Sequence, residues 1–141
     1  MAKNLHPKNF NLSVFGSPIS GFAEGTMITV RRNKDASMVK VGADGEAVII
    51  GSADKSGEIE FVLMQTSSSN LVLSNSARLF ESSNGALGRG IVQVKDIGGT
   101  TVINCQDAAI KKMPDAAFSD DIETRTWVLV CGDLDMLIGG N

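Results

Sequence analysis

Apolar and polar positions alternate along most of this chain. The cleanest run is Gly57–Gln65, where Ile59, Phe61 and Leu63 share one face and Glu58 and Glu60 begin the other. Successive side chains of a strand point to opposite faces, so the pattern predicts a strand with one buried side. Val62 and Met64 turn the second face apolar toward its end, so both faces are covered there. Thr26–Arg32 sets Ile28 and Val30 against Thr29 and Arg31. Gly90–Asp96 puts Val92 and Val94 together. Ile122–Gly132 sets Glu123, Arg125, Trp127, Leu129 and Cys131 against Thr124, Thr126, Val128 and Val130. Asn11–Phe15, Thr101–Cys105, Ala108–Met113 (closed by Pro114) and Leu134–Ile138 read as shorter strands. Gly16-Ser17-Pro18-Ile19 predicts a turn, and Ile97-Gly98-Gly99-Thr100 a hairpin turn.

The period changes once. Over Ser67–Phe80, Leu71, Val72, Leu79 and Phe80 can share a helical stripe that leaves Asn75, Ser76 and Arg78 outside it. Ser67, Ser68 and Ser69 offer N-cap hydroxyls. Ser82–Gly90 is a glycine-rich loop. About eight to ten short strands, one helix and no alternation of strand with helix predict a mainly β fold: an antiparallel sandwich or barrel with one flanking helix.

One excursion breaks the economy of this plan. Between the strands Thr26–Arg32 and Gly57–Gln65 runs Asn33–Ser56, with its own strand-like pieces Ser37–Val41 and Glu46–Ile50 around Gly42-Ala43-Asp44-Gly45. Met38, Val39, Val41, Val48, Ile49 and Ile50 give it more apolar surface than a solvated loop carries. It reads as a long protruding hairpin that buries itself against another subunit. Met38, Val39, Val41, Gly42, Asp44, Gly45 and Glu46 are the candidate interface residues. Met1–Phe10, interrupted by Pro7, reads as an N-terminal arm.

Bulk numbers narrow the function. At 141 residues the chain is one domain long. It carries 13 basic and 16 acidic residues, a net charge of -3, where a nucleic-acid binder leans basic. It has no Tyr, one Trp and 6 Phe, few platforms for stacking bases. Met1–Phe10 lacks the apolar run of a signal peptide, and no stretch approaches the ~20 apolar residues of a membrane span. Cys105 and Cys131 are too few for a disulfide framework and have no metal-ligand spacing, so they read as reduced, buried thiols.

No cluster reads as a catalytic or cofactor site. His6 is the only histidine. Asp120, Asp121 and Glu123, and Asp133 with Asp135, lack the spacing of a calcium loop and read as solvated acids. Gly85-Ala86-Leu87-Gly88-Arg89-Gly90 is followed by no Gly-Lys-Ser/Thr and is a flexible connection, not a phosphate loop. Ser67–Ser69 has no nucleophile-elbow context. Arg31, Arg32 and Lys34, and the pair Lys111 and Lys112, read as salt-bridge partners. Trp127 reads as a core or interface residue.

Four places, in order along the chain, carry a resemblance: Ile19–Thr26, Lys40–Glu46, Asp54–Ile59 running into Leu63–Ser67, and Trp127–Leu129 with Cys131–Met136 and Ile138–Asn141. In these the chain resembles the tail tube proteins of contractile-tailed bacteriophages. The resemblance implies subunits that form hexameric rings, stacked into a hollow tube whose lining is one continuous barrel of joined sheets. It implies that Asn33–Ser56 reaches a neighbouring subunit or ring. It implies a sheath protein, baseplate and tape-measure proteins as partners, and DNA that passes through the lumen without specific binding. The protein would sit in the virion, and in the host cytoplasm before assembly, with no cofactor, metal or enzymatic activity. Glu58 and Glu60 are the candidate lumen-facing acids. The tube protein of type VI secretion shares this fold and is the nearest alternative. A small non-enzymatic β-barrel binding module is a more distant one.

Overall fold

The computed structural model describes residues 10–25 and 28–139. The expected N-terminal arm and His6 lie outside the described residues, as do Thr26 and Met27 at the start of the expected second long strand. The chain runs β1 (Phe10–Val14), β2 (Ser17–Ile19), β3 (Ile28–Arg32), β4 (Ser37–Val41), β5 (Ala47–Gly51), β6 (Gly57–Met64), α1 (Ser69–Ser82), β7 (Arg89–Asp96), β8 (Val102–Lys112), β9 (Thr124–Cys131) and β10 (Leu134–Leu137). It is mainly β and antiparallel throughout, as the alternation predicts.

One sheet has the order β2-β1-β7-β8-β9-β6-β3, with β10 added beside β8. Among the described residues its seven-strand path does not close, since β2 pairs only with β1 and β3 only with β6. The sheet folds over itself like a sandwich, and β8 is where it turns. Val102–Cys105 of β8 pair with β7 and β10, Ala108 and Ala109 pair with both β7 and β9, and Ile110 and Lys112 pair with β9. Register shifts between Gly90 and Val92 of β7, and between Ile110 and Lys112 of β8, supply the bend.

The alternation then does its work. Ile59, Phe61 and Leu63 of β6, Trp127, Leu129 and Cys131 of β9, Val92 and Val94 of β7, and Leu12 and Val14 of β1 all point into one core. Trp127 is only 1% exposed, and its indole Nε1 donates to Asn70 Oδ1 at 3.0 Å. A buried indole N–H needs such an acceptor. Asn70 also donates to the carbonyls of Met64 (3.0 Å) and Gln65 (3.3 Å), tying the start of α1 to the end of β6.

Three expectations need correction. Ser17-Pro18-Ile19 is a strand, and the turn is the tighter step Phe15-Gly16, both with positive φ (53° and 86°). Pro18 is tolerated because β2 is an edge strand, where a missing N–H breaks no ladder. Thr101–Cys105 and Ala108–Met113 are not separate strands; β8 runs through Gln106 and Asp107, which lie exposed at its bend. The helix is where the period change places it, extended to Ser82, but it buries a different face. Ser69, Leu73 and Ala77 turn inward, whereas of the predicted stripe Leu71, Val72 and Leu79 are exposed and Phe80 is half-buried. The inward set is also spaced at i, i+4 and i+8, and its small members let the backbone settle close to the sheet. The Ser69 hydroxyl accepts the Ser20 N–H (3.1 Å), and Ser67 Oγ donates to the Ser20 carbonyl (2.6 Å). Of the three serines, Ser67 supplies the local cap, accepting the Ser69 N–H at 3.2 Å; Ser68 makes no capping bond.

Two glycines are set by close approach. A Cβ on Gly57 would lie 2.5 Å from the Arg31 carbonyl oxygen and 2.6 Å from Leu134 Cδ2, so only glycine lets β3, β6 and β10 meet. Gly88 (φ +74°) packs against the Ser76 carbonyl and the Phe80 amide, folding the chain back under the helix.

Candidate assembly surface

β4 and β5 form a two-stranded ribbon of their own, separate from the main sheet. Every residue of both five-residue strands is exposed, Ile49 at 74%. Cross-strand pairs are Met38 with Ile50, Val39 with Ile49, Lys40 with Val48 and Val41 with Ala47. Directly opposed residues share a face, so Val39, Val41, Ala47 and Ile49 form one apolar face. Met38, Val48 and Ile50 form the other, with Lys40 among them. The predicted interface residues Met38, Val39 and Val41 lie on β4, with Gly42, Asp44, Gly45 and Glu46 at the tip. There Gly42 N–H donates to the Glu46 carbonyl (2.8 Å), Asp44 Oδ1 accepts the Glu46 N–H (3.2 Å), and Gly45 has φ +86°.

The base of this arm is firmly tied. Asn33 N–H donates to the Ser56 carbonyl (3.1 Å) and Asn33 Nδ2 to Ser56 Oγ (3.0 Å). Asp54 accepts from the Ser56 hydroxyl (2.6 Å) and amide (2.9 Å), which hold its carboxyl below the usual carboxylate range; Lys34 sits 3.7 Å away. The arm is therefore tied to the body at its base, while among the described residues its strands pair only with each other. An isolated two-stranded hairpin is marginal in water, and this one has apolar groups on both sides.

A second surface is the outer face of β3, β6, β9 and the end of β8. Glu58 and Glu60 lie here, side by side as predicted, but neither stands alone. Glu58 accepts from Lys111 Nζ (2.6 Å) and Arg31 Nη2 (3.3 Å), and Glu60 from the same Arg31 nitrogen (3.1 Å). The Lys111 ammonium, then Arg31, holds the Glu58 carboxyl below its ordinary range. Lys111 reaches Glu58 across β9, over Val130, since Ala109, Val130 and Glu58 are aligned partners. Arg31 pairs as the basic run predicts. The role of Lys111 depends on β8 and β6 flanking β9, which no local pattern reveals. Arg32 turns away and donates to the Leu134 carbonyl (2.7 Å).

Elsewhere the surface carries exposed apolar groups that periodicity alone did not mark as exposed. Leu71 (68% exposed), Val72 and Leu79 line the outward face of α1. Phe118 (83%) and Ile122 flank Asp120 and Asp121 in the connection between β8 and β9. Arg89 and Asp107 form a double ion pair at the bend of β8. Cys105 and Cys131 are both buried and free, and burial pushes the Cys131 thiol up. Among the described residues, no three His, Cys, Asp or Glu side chains gather to hold a metal ion, and no helix is long and apolar enough to cross a membrane.

A buried core, an outlying ribbon apolar on both faces and, among the described residues, sheet edges without a partner strand leave this chain with surfaces open to contact by other chains. The comparisons give the chain its family. The family described as bacteriophage PhiTE tail tube protein matches residues 13–139, and the chain belongs to it: a structural tube protein of phage tails. The structural protein ORF10 of Pseudomonas phage KPP10 is 29% identical over 133 residues, covering 94% of this chain and 77% of that one. In fold, the chain is similar to the sheath/tube terminator of the extracellular contractile injection system PVC, with a TM-score of 0.62, 14% identity and coverage of 97% and 99%. It is also similar to a chain of a native gene transfer agent particle, with a TM-score of 0.61, 13% identity and coverage of 96% and 100%.

Proposed function

We propose that this protein is the repeating subunit of the tail tube of a contractile phage tail. Hexameric rings stack into a hollow tube that passes through the host envelope and then conducts the genome. The observation that carries the reading is the β4–β5 ribbon, apolar on both faces and unburied within its own chain. The outer edge of β3, which has no partner strand among the described residues, adds to it. This edge has no proline, and an unpaired strand edge is an aggregation hazard unless another chain completes it. On the far side of the same four-strand face, β8 extends beyond its pairing with β7 at Ala109, so Ile110–Lys112 offers a second edge. Head-to-tail joining of the two edges is the heterologous contact a ring requires.

In this arrangement the outer face of β3, β6 and β9 lines the lumen. Its two acids, Glu58 and Glu60, are balanced by Arg31 and Lys111. The lining is near-neutral and poor in aromatic rings, so it gives phosphates and bases little to hold. Sheath, baseplate and tape-measure proteins are the expected partners, and the subunit waits in the host cytoplasm before joining the virion. The arm is loose before assembly and ordered after it. A phage relative along nearly the whole chain favours the phage tail over a type VI-like tube.

Negative-stain electron microscopy of the purified protein, with light-scattering mass on the same sample, tests the proposal. Hollow tubes or stacked six-fold rings are expected. A protein that stays monomeric at high concentration would count against it and favour a small binding module.

A further inference from the structure

Cys105 and Cys131 lie in the core, away from the assembly surfaces. We propose that they are a redox pair, which hydrogen peroxide closes into an intramolecular disulfide that pins the bend of β8 to the turn between β9 and β10. The inference goes beyond the tube-subunit reading and holds whether or not the chain forms tubes.

Topology brings the two together. Cys105 is the last residue of β8 to pair with β10, opposite Leu134, and Cys131 ends β9 opposite Ala108 of β8. Between these two pairings Gln106 and Asp107 bulge outward, and Gly132-Asp133 turns over them. Bulge and turn are stitched together: Gln106 N–H donates to the Asp133 carbonyl (3.4 Å), and Gly132 N–H to the Asp107 carbonyl (2.9 Å). The Cys105 thiol donates to that same Asp107 oxygen (3.4 Å), which sets its sulfur close to the backbone that follows Cys131. Both side chains are buried in one core cluster. Burial first, then the Cys105 thiol beside it, keeps the Cys131 thiol protonated.

The chemistry balances with peroxide as the oxidant. One sulfur, as thiolate, attacks a peroxide oxygen; the O–O bond breaks, and the departing hydroxide takes up the thiol proton as water. The sulfenic acid left behind is attacked by the second sulfur. The S–S bond forms, the S–O bond breaks, and hydroxide leaves with the second thiol proton as another water. The two thiols lose two electrons and two protons, and the peroxide is reduced to two waters. Peroxide is small and uncharged, so it can reach a pair closed to bulky reagents. Thiolate is scarce in the core, so closure is slow, on the order of hours. In a reducing compartment the pair stays open. The link would close a loop of roughly 25 residues, which limits the unfolded chain and stabilises the fold.

The test treats the folded, full-length protein with hydrogen peroxide, removes the excess with catalase, and unfolds the chain in acid with N-ethylmaleimide to block free thiols. Trypsin cuts after Lys95, Lys111, Lys112 and Arg125, so the two cysteines fall on separate peptides, 96–111 and 126–141. Mass spectrometry should find these peptides joined, lighter by two hydrogens than their sum, and separated by dithiothreitol. A non-reducing gel should show a single-chain band. The oxidised sample should melt about 5–10 °C higher than the same sample after dithiothreitol, which reopens the disulfide and leaves methionine sulfoxides as they are. Cys105→Ala and Cys131→Ala should show no such difference. Two N-ethylmaleimide-blocked thiols after prolonged peroxide, sulfinic acid on one cysteine, or disulfides between chains would each overturn the pair. A joined form that melts no higher than its reduced counterpart would overturn the pinning of the bend.

Discussion

Replacing Asn70 with alanine should destabilise the monomer by about 2–4 kcal/mol, although Asn70 is a polar residue in the first turn of a helix. Three hydrogen bonds leave with it: one from the Trp127 indole and two to the carbonyls of Met64 and Gln65. They are not equal. The Met64 carbonyl keeps the Ser67 N–H as a donor, so its loss is small. Gln65 is only half-buried, so water can replace the donor there, at a net cost of about 1 kcal/mol. The indole has no such rescue. It is 1% exposed, and an orphaned buried donor costs about 1–3 kcal/mol. Trp127 is the only tryptophan, so its fluorescence during urea unfolding reports on the perturbed site and the global transition together. Asn70→Asp keeps an acceptor for the indole but loses both donations to carbonyls. It should be less destabilised than Asn70→Ala if the indole bond dominates, and more so if the carbonyl bonds do. A loss below about 0.5 kcal/mol for Asn70→Ala would refute the reasoning, placing the variant within the range of ordinary surface substitutions.

Acid should weaken the fold through its paired carboxylates. Glu58, Asp54 and Asp107 are all held below their ordinary range, by Lys111, by the Ser56 hydroxyl and by Arg89 respectively. A depressed carboxyl gives stability that is complete above its unfolded pKa, about 4.3 for Glu, and is lost as pH falls through the folded value. Urea midpoints should therefore be flat from pH 7 to about 5 and then fall; Lys111→Ala should make the fall shallower, and an unchanged slope would remove Lys111 from the pair. The thiols of Cys105 and Cys131 should resist a water-soluble disulfide reagent in the folded protein and react promptly in urea, because both are buried and burial disfavours the Cys131 thiolate. Rapid labelling of the native chain at pH 8 would show that the β8–β9 region opens far more easily than its packing implies.

The sequence by itself determined the fold class, the arm and the centre of the core. Period-two alternation named Ile59, Phe61, Leu63, Val92, Val94, Trp127 and Leu129, and all are buried. Strand alternation is a local rule that a single burial plane enforces, so it survives being read without a partner strand. The arm was legible for the opposite reason: its apolar residues had no polar face to alternate with. What only the tertiary structure decided is which surface each element meets. The helix shows this best. Two apolar stripes were available on α1, and the larger, Leu71, Val72 and Leu79, was the natural one to bury. The fold buried Ser69, Leu73 and Ala77: Leu73 joins the core, and the Ser69 hydroxyl accepts the Ser20 N–H beside it. Pro18 in a strand and the fusion of β8 through Gln106 and Asp107 depend on edge position and on a bend between sheet halves. So does the pairing of Glu58 with Lys111, 53 residues apart along the chain and two strands apart in the sheet. Strand order is set by long-range packing, and no local pattern of residues encodes it.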